Sequence, residues 1–346
     1  MRLASQPATA AASRPTAGGH HEPATGRPSA WSPRTAAEGR HRCTQPTQTL
    51  PRTSTGSFHR PLDLPPHTAT TPRKKDPTMD LATSRDGTRL AVDRYGSGTM
   101  TPIVLIGSAG DDRARLAPLA RELAASHPTL AYDRRGRGDS GDNARGHEGE
   151  VDREIEDLAA VIGVAGGHAV LLGYSSGGIL ALLAATRDLP VEAVVMFEPP
   201  FDADGGTPLA LDLSDRIAAL AREGRKGDAA ALFMTEAIGI EPAMVEQLRR
   251  SPGWDRQEAV AGALAYDAAV TAEHGDPSTF AGKVPVPVLT LAGRETWPAL
   301  AAAARRAAEV LGGEHRVVEG AGHDLVPAAV APAVVAFLDG LRADSF

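Results

Sequence analysis

A serine that could act as a nucleophile lies in a glycine-rich turn, Gly-Tyr-Ser-Ser-Gly-Gly, at residues 173–178 of this 346-residue chain. The apolar run 169–172 precedes the turn and the apolar run 179–185 follows it, so the pattern predicts a strand, a sharp turn and a helix. Glycine is needed on both flanks because a Cβ atom there would collide with the adjacent strand and helix. The strained turn lifts the Ser175 hydroxyl clear of the sheet, at the positive end of the helix. We therefore predict that Ser175 is a nucleophile.

A serine hydroxyl is a weak nucleophile until a neighbouring imidazole takes its proton. The candidate is His323, in the glycine-rich loop Glu-Gly-Ala-Gly-His-Asp at residues 319–324, after the last predicted strand. This loop lies at the same edge of the predicted sheet as Ser175. The order along the chain, with the acid candidates between serine and histidine, matches Ser…Asp/Glu…His. We predict that His323 is the general base.

A carboxylate must orient the imidazole and stabilise its cation. Glu198 directly follows the strand predicted at 191–197, and a half-buried carboxylate at a strand end requires a partner. Glu295 follows the strand predicted at 286–292 and is the alternative acid. We favour Glu198, for which a salt bridge to an arginine of the turn 134–137 is the competing structural role.

An alternation of strands and helices from residue 79 onward must position these groups. Strands are predicted at 90–95, 103–106, 129–132, 169–172, 191–197, 286–292 and 314–318, and helices at 115–125, 150–164, 179–185, 298–311 and 328–341. The first strand alternates with period two, as antiparallel strands do, whereas 103–106 is apolar throughout, as expected of a strand buried on both faces. The predicted fold class is α/β, with a mostly parallel sheet covered by helices on both faces.

About 85 residues between Pro199 and Pro285 interrupt this alternation, whereas connections usually span ~2–6 residues. Amphipathic segments follow one another there, at 213–222, 229–238, 243–249 and 258–271. We predict an inserted helical cap, about 202–283, over the carboxyl ends of the strands, where ligands bind in such sheets. Of the large apolar side chains in it we expect about two to touch substrate and the rest to pack. They are Phe201, Phe233, Met234, Met244, Trp254 and Tyr266.

Residues 1–78 differ in composition from the rest of the chain. They hold twelve of the 27 prolines and eleven Lys/Arg against four Asp/Glu, a net charge of +7 in a chain of net charge −7, which leaves −14 for 79–346. Such a segment cannot offset its ordering entropy by burying apolar surface, so we predict that it is disordered. It is an extension upstream of a start at Met79, a basic tail that binds a polyanion, or a transit-like peptide.

The composition also limits the classes of partner and cofactor that we expect for this protein. The acidic segment 79–346 argues against nucleic acid as a partner of the core. The one cysteine, Cys43, lies in the basic segment, which indicates a reducing, cytoplasmic compartment without disulfides or Cys-based metal sites. No run approaches the ~20 apolar residues of a membrane span. There is no phosphate-binding loop or dinucleotide fingerprint, so we expect a small-molecule substrate and no cofactor, and the oligomeric state stays open.

The serine turn, the histidine loop and the alternation of strands and helices resemble those of the α/β-hydrolase superfamily. The resemblance covers essentially all of residues 79–346. The run Tyr-Asp-Arg-Arg-Gly-Arg-Gly-Asp-Ser at 132–140 resembles the turn after the fourth strand of cap-bearing members, where Asp133 and Arg135 are expected to hold the turn. Phe-Glu-Pro-Pro-Phe at 197–201, together with the Ser-Ser pair, resembles a group of uncharacterised bacterial hydrolases.

Two departures from the superfamily pattern concern the site. Gly-Ser-Ala-Gly at 107–110 replaces the usual His-Gly, but the oxyanion hole uses backbone N–H groups, and the resemblance implies the amides of Ala109 and Ser176. Thr296 lies near the position where members usually carry the acid, and some relatives, including certain haloalkane dehalogenases, carry it at the position of Glu198. The pair Asp111 and Asp112 is expected to cap a helix.

The resemblance implies a carboxylesterase-like serine hydrolase that works through an acyl-enzyme. A C–C bond hydrolase, a lactonase or a perhydrolase would use the same residues. A slow-turnover ligand sensor could retain them as well. A serine in place of an aspartate disfavours dehalogenase and epoxide hydrolase chemistry.

Overall fold

The computed structural model describes residues 77–143, 150–202 and 208–343. The expectations for the basic segment 1–78 and for Cys43 lie outside these ranges, apart from Pro77 and Thr78. Thr78 is already part of the first strand. The disorder expected of the basic segment therefore stays a prediction.

Eight strands form a single sheet. They are β1 Thr78–Thr83, β2 Arg89–Tyr95, β3 Ile103–Ile106, β4 Thr129–Tyr132, β5 Ala169–Tyr174, β6 Val191–Phe197, β7 Val288–Glu295 and β8 Glu314–Ala321, in the spatial order β1-β2-β4-β3-β5-β6-β7-β8. β2 pairs antiparallel with both β1 and β4, and every other pairing is parallel. The predicted mostly parallel α/β sheet is confirmed. β7 begins two residues later than predicted because Pro287 has no N–H to donate to a ladder.

Ten α-helices lie within the described ranges. They are α1 Arg113–Leu123, α2 Glu150–Ala165, α3 Ser176–Ala185, α4 Leu213–Arg222, α5 Lys226–Leu232, α6 Pro242–Leu248, α7 Trp254–Val260, α8 Leu264–His274, α9 Pro298–Leu311 and α10 Pro327–Ala343. None of them is long and apolar enough to cross a membrane.

Two apolar cores cover the two faces of the sheet. Val104 and Ile106 of β3 point to one face, with α2, α3 and α9, whereas Ile103 and Leu105 point to the other, with α1 and α10. This alternation buries both faces of β3, so the strand is apolar at every position. Because these strands run parallel, their carboxyl ends lie at the same edge of the sheet.

The segment between β6 and β7 is helical, as its amphipathic pattern predicts. It holds α4 to α8, a π-helix Phe233–Ala237 and a 3₁₀ helix Pro277–Phe280, and it has an apolar core of its own that includes Leu213, Ile217 and Leu264. The helix predicted at 258–271 is in fact two, α7 and α8, because a tight turn around Gly262 separates them. Within this segment α8 packs against α2 and α3.

Candidate active site

The serine turn joins β5 to α3 with strained backbone geometry. Ser175 has φ 54° and ψ −125°, in a region that residues with a side chain rarely adopt. A Cβ atom on Gly173 would lie 2.1 Å from the Gly177 carbonyl oxygen, and one on Gly177 would lie 2.5 Å from that of Ile106. Both positions therefore exclude every residue but glycine, and the sharp turn exposes Ser175 partly to solvent.

The structure brings Glu198 to His323. Glu198 follows β6 with φ 48° and is fully buried, and its Oε2 lies 2.5 Å from His323 Nδ1. The other carboxylate oxygen accepts the Gly293 amide at 2.8 Å. Because an ionised carboxylate only accepts hydrogen bonds, Nδ1 is the donor and Nε2 of the neutral ring is left as an acceptor. In this arrangement His323 can take a proton through Nε2.

Glu295 lies elsewhere. It ends β7 with an exposed side chain, and the carbonyl of its main chain accepts the Gly322 amide at 2.9 Å. Glu295 therefore supports the loop that carries His323 through its backbone. The carboxylate next to the imidazole is that of Glu198, and the arginines of the turn 134–137 have other partners.

Ser175 and His323 share the carboxyl edge of the sheet. The ring of Tyr174 lies 4.9 Å from that of His323, and its hydroxyl donates to the His323 carbonyl. The Ser175 amide donates to the carbonyl of Phe197, the residue before Glu198, at 2.9 Å. The Ser175 hydroxyl forms no hydrogen bond with any described residue, a state common in active sites without substrate.

Two free amides lie beside the serine. The close approach of Gly177 to the Ile106 and Gly107 carbonyls places the first turn of α3 against the loop that contains Ala109. Within the described ranges neither the Ala109 amide nor the Ser176 amide donates a hydrogen bond. The Ser176 amide lies at the positive end of α3, where a negative oxygen is stabilised, and the Ala109 amide belongs to the loop packed against it.

The paired carboxylates after this loop separate into two roles. Asp112 caps α1 by accepting the Arg115 amide at 3.2 Å, as the sequence predicts. Asp111 is not the cap; it accepts the Ser108 hydroxyl at 3.0 Å. Burial raises the pKa of Asp111, and the hydrogen bond from Ser108 lowers it only in part.

The arginine-rich turn after β4 has the structural role that the resemblance implied. Asp133 accepts the backbone amides of Arg113 at 2.6 Å and Asp139 at 2.8 Å. Arg135 donates to both carboxylate oxygens of Asp157, at 2.7 and 2.6 Å, and to Asp86 at 3.0 Å. These bonds fix the turn at the same end of the sheet as Ser175.

Trp297 is a residue of the site that sequence reasoning missed. Its ring stacks on that of His323 with centroids 5.8 Å apart and planes inclined by 28°, while 49% of its surface stays exposed. A tryptophan two residues after the end of β7, in a chain with only 4% aromatic residues, was the signal that could have singled it out. It forms a wall beside the imidazole.

Of the six large apolar side chains, about two of which were expected to touch substrate and the rest to pack, four are committed to packing or to a hydrogen bond. Phe233 and Trp254 are buried in the core of the helical segment, and Phe201 packs edge-to-face on Phe280 with centroids 6.3 Å apart. The Tyr266 hydroxyl donates to Asp142 at 3.0 Å. Within the described ranges no three His, Cys, Asp or Glu side chains cluster as metal ligands would.

The alpha/beta hydrolase family is matched by residues 103–336, which span the sheet from β3 onward and all the candidate residues. The chain belongs to the alpha/beta hydrolase family. Membership makes it a hydrolase in the general sense. None of the curated proteins matches this chain.

Among solved structures, an alpha/beta hydrolase from Sphaerobacter thermophilus DSM 20745 is 41% identical, with a TM-score of 0.67, and the match covers 75% of this chain and 100% of that one. An enol-lactonase from Burkholderia xenovorans LB400 is 23% identical, with a TM-score of 0.57 and coverage of 75% and 100%. A thermophilic esterase from Thermogutta terrifontis is 21% identical, with a TM-score of 0.56 and coverage of 77% and 98%. The last two likenesses concern the fold alone.

Proposed function

We propose that this protein is a serine hydrolase that cleaves a small ester or a related acyl substrate through an acyl-enzyme. The observation that carries the proposal is the 2.5 Å contact of His323 Nδ1 with the buried carboxylate of Glu198, at the edge where Ser175 lies on its strained turn. A nucleophile, a base and a group that orients the base are the three parts that acyl transfer by serine requires.

In the first half of the reaction Ser175 Oγ attacks the acyl carbonyl carbon and His323 Nε2 takes the hydroxyl proton. Glu198 keeps the ring in the productive tautomer and compensates the imidazolium. The carbonyl oxygen becomes an oxyanion, which the Ala109 and Ser176 amides receive. The tetrahedral intermediate then breaks its bond to the leaving alcohol, to which His323 returns the proton.

In the second half a water molecule attacks the ester formed on Ser175. His323 takes one proton from this water, and a second tetrahedral intermediate forms in the same oxyanion hole. Its collapse breaks the bond to Ser175 Oγ, to which His323 returns the proton, and releases the acid. Protein groups supply every proton transfer and every charge interaction in this scheme.

The helical segment between β6 and β7 serves as the cap in this proposal. Its residues Val260 and Leu264 lie 3.6 and 3.9 Å from the position that a Cβ on Gly110 would take, in the loop next to the oxyanion amides. This segment and Trp297 would thus enclose the acyl group near Ser175. The groups that approach this position at Gly110, which also include the Gln257 side-chain oxygen at 3.8 Å, are uncharged and favour a small, uncharged ester.

Labelling and turnover test the proposal. The full chain and the Ser175→Ala variant are treated with a fluorophosphonate probe and then assayed on short p-nitrophenyl esters. We expect labelling of the native chain alone, and turnover that falls at least about 10⁴-fold in the variant. Labelling that is equal in both proteins, or absent from both, would refute an activated Ser175.

The panel should also contain lactones and β-diketone-like substrates, because the same residues would serve a lactonase or a C–C bond hydrolase. A protein that labels at Ser175 and yet turns over none of these substrates would be a ligand sensor. That result would contradict the proposed esterase and keep the nucleophile.

A further inference from the structure

The side chain of Ser176 points away from the candidate oxyanion hole into a buried polar cluster. We use "buried cluster" for Arg134, Arg137, Glu154, Ser176 and Asp267, each at most 3% exposed. The Ser176 hydroxyl donates to Asp267 Oδ1 at 2.7 Å and accepts from Arg134 Nη1 at 3.3 Å. Ser176, whose amide is proposed to face the substrate, is therefore held by hydrogen bonds of its side chain to the buried cluster.

Arg134 connects both halves of the oxyanion hole. Its Nη1 donates to Asp267 at 2.7 Å and shares its two hydrogens with the Ser176 hydroxyl and with the Gly107 carbonyl at 3.2 Å, at the start of the loop that carries Ala109. The guanidinium is held in place by a two-fold pairing with Glu154, at 2.7 and 2.5 Å. Paired bonds of this kind fix the plane of an arginine, so its Nη1 is a rigid link between the two loops.

Asp267 is the third group in this hydrogen-bonded link between Ser176 and Arg134. It lies on α8, in the helical segment between β6 and β7, and its second oxygen accepts from Arg137. Burial alone would raise the pKa of this carboxyl, but the charges of Arg134 and Arg137 and the hydrogen bond from Ser176 hold it below its ordinary value. Asp267 is thus ionised at neutral pH, and its hydrogen bonds are charge-assisted.

We infer that Asp267 is a positioning residue: through the Ser176 hydroxyl and Arg134 it holds the Ala109 and Ser176 amides at the separation that an oxyanion requires. The inference rests on the proposed function. The ion pairs of Asp267 also fix α8, the cap helix that carries it, to the turn after β4. Catalytic donors must be held to a fraction of an ångström, and such positioning needs supporting hydrogen bonds.

The Ser176→Ala variant tests the inference because it removes the anchor and leaves the backbone amide in place. We expect kcat for a p-nitrophenyl ester to fall about 10-fold while KM changes less than about 2-fold, since the loss concerns the transition state. The affinity for phenylboronic acid, whose adduct on serine places an oxygen in the hole, should fall by a similar factor.

A matched control separates positioning from loss of stability. Thr290 is fully buried on β7 and its hydroxyl donates to the Ala304 carbonyl at 2.9 Å. Thr290→Val should lower Tm about as much as Ser176→Ala does and leave kcat unchanged.

A second variant changes Asp267 itself. Asp267→Asn, assayed at a temperature at which it is folded, should retain part of the activity that Ser176→Ala loses, because the amide oxygen can still accept from the Ser176 hydroxyl.

The outcomes are distinct. An active native protein whose Ser176→Ala variant keeps kcat and boronate affinity would overturn the inference and leave the serine hydrolase intact. Equal losses of kcat in Ser176→Ala and Thr290→Val would show a structural role alone and overturn it as well. A native protein without labelling or turnover would refute the proposed function and the positioning role together.

Discussion

Two fully buried carboxylates of this molecule, Glu198 and Asp267, differ in their partners. Asp267 pairs with Arg134 and Arg137, which keep their charge at any physiological pH. Glu198 pairs with His323, an imidazole whose side chain is 21% exposed. A buried carboxylate is therefore part of a rigid ion-pair scaffold in one place and, in the proposed function, orients the imidazole that transfers a proton in the other. The partner decides which.

The hydrogen bonding around the buried cluster also differs from that around Ser175. In the buried cluster every acidic side chain has at least two hydrogen-bond donors around it, whereas the Ser175 hydroxyl has no partner among the described residues. The hydroxyl proposed to attack substrate is thus unpaired, whereas both carboxylates of the buried cluster have their donors, although Arg137 Nε and Nη1 form no hydrogen bond with a described residue. Four predictions follow the comparison from its largest effect to its smallest.

The largest effect is expected on catalysis at Glu198. Glu198→Gln keeps the shape of the side chain but cannot stabilise the imidazolium, so kcat/KM should fall about 10⁴-fold. Glu295→Gln is the matched control and should change it less than about 2-fold. Steady-state kinetics on the best p-nitrophenyl ester measure both, and a larger loss in the Glu295 variant would assign the acid to Glu295.

The next largest effect is expected on the stability of the protein, when Asp267 of the buried cluster is replaced. Asp267→Ala removes one of the two carboxylates, Asp267 and Glu154, that face the buried Arg134 and Arg137, so the free energy of unfolding should fall by about 3–5 kcal/mol. Glu236, in an exposed ion pair with Arg216 at 2.6 Å, is the control, and Glu236→Ala should cost at most about 1 kcal/mol. Urea unfolding of the two variants measures the difference; similar losses would mean that burial adds nothing to the cluster.

A smaller effect is expected at Trp297, on the exposed side of the catalytic edge. Trp297→Ala removes the ring stacked on His323, which should lower kcat/KM about 3- to 10-fold, since such stacking is worth about 0.5–1.5 kcal/mol. Trp297→Phe keeps a ring and should recover most of the loss. If the two variants were equally impaired, the stacking would have no catalytic value.

The smallest effect is a pH dependence of stability at His127. Burial lowers the pKa of this histidine below its usual 6.5, and Arg342, which donates to its Nε2 at 2.8 Å, lowers it further. A lowered folded-state pKa means that the unfolded chain binds the proton first. The contribution of His127 is therefore complete above pH 6.5 and is lost as the pH falls through the folded-state pKa.

The variant His127→Gln keeps an acceptor for Arg342 and does not titrate. Its free energy of unfolding should therefore approach that of the native chain as the pH is lowered from 7.5 to 5. Thermal or urea unfolding across this range measures the gap between the two proteins. A gap that widens toward acid pH would reverse the assigned direction.

Periodicity in the sequence predicted the elements well where local pattern governs them. The predicted bounds of β4, β6, α4 and α9 agree with the structure at both ends. The split of 258–271 into α7 and α8 was missed, because an apolar stripe continues across a tight turn without revealing the break. β1 is not among the predicted strands, which begin at residue 90, although the predicted alternation begins at 79.

What the sequence alone determined is the fold class, the strained serine turn and the order of serine, acid candidates and histidine, all of which depend on residue type and local spacing. Only the tertiary structure decided between Glu198 and Glu295 as the neighbour of His323, 125 residues from Glu198. It alone brought Asp267 under Ser176, 91 residues away. Contacts over such separations depend on how helices pack on the sheet, and no periodic pattern records which side chains meet there.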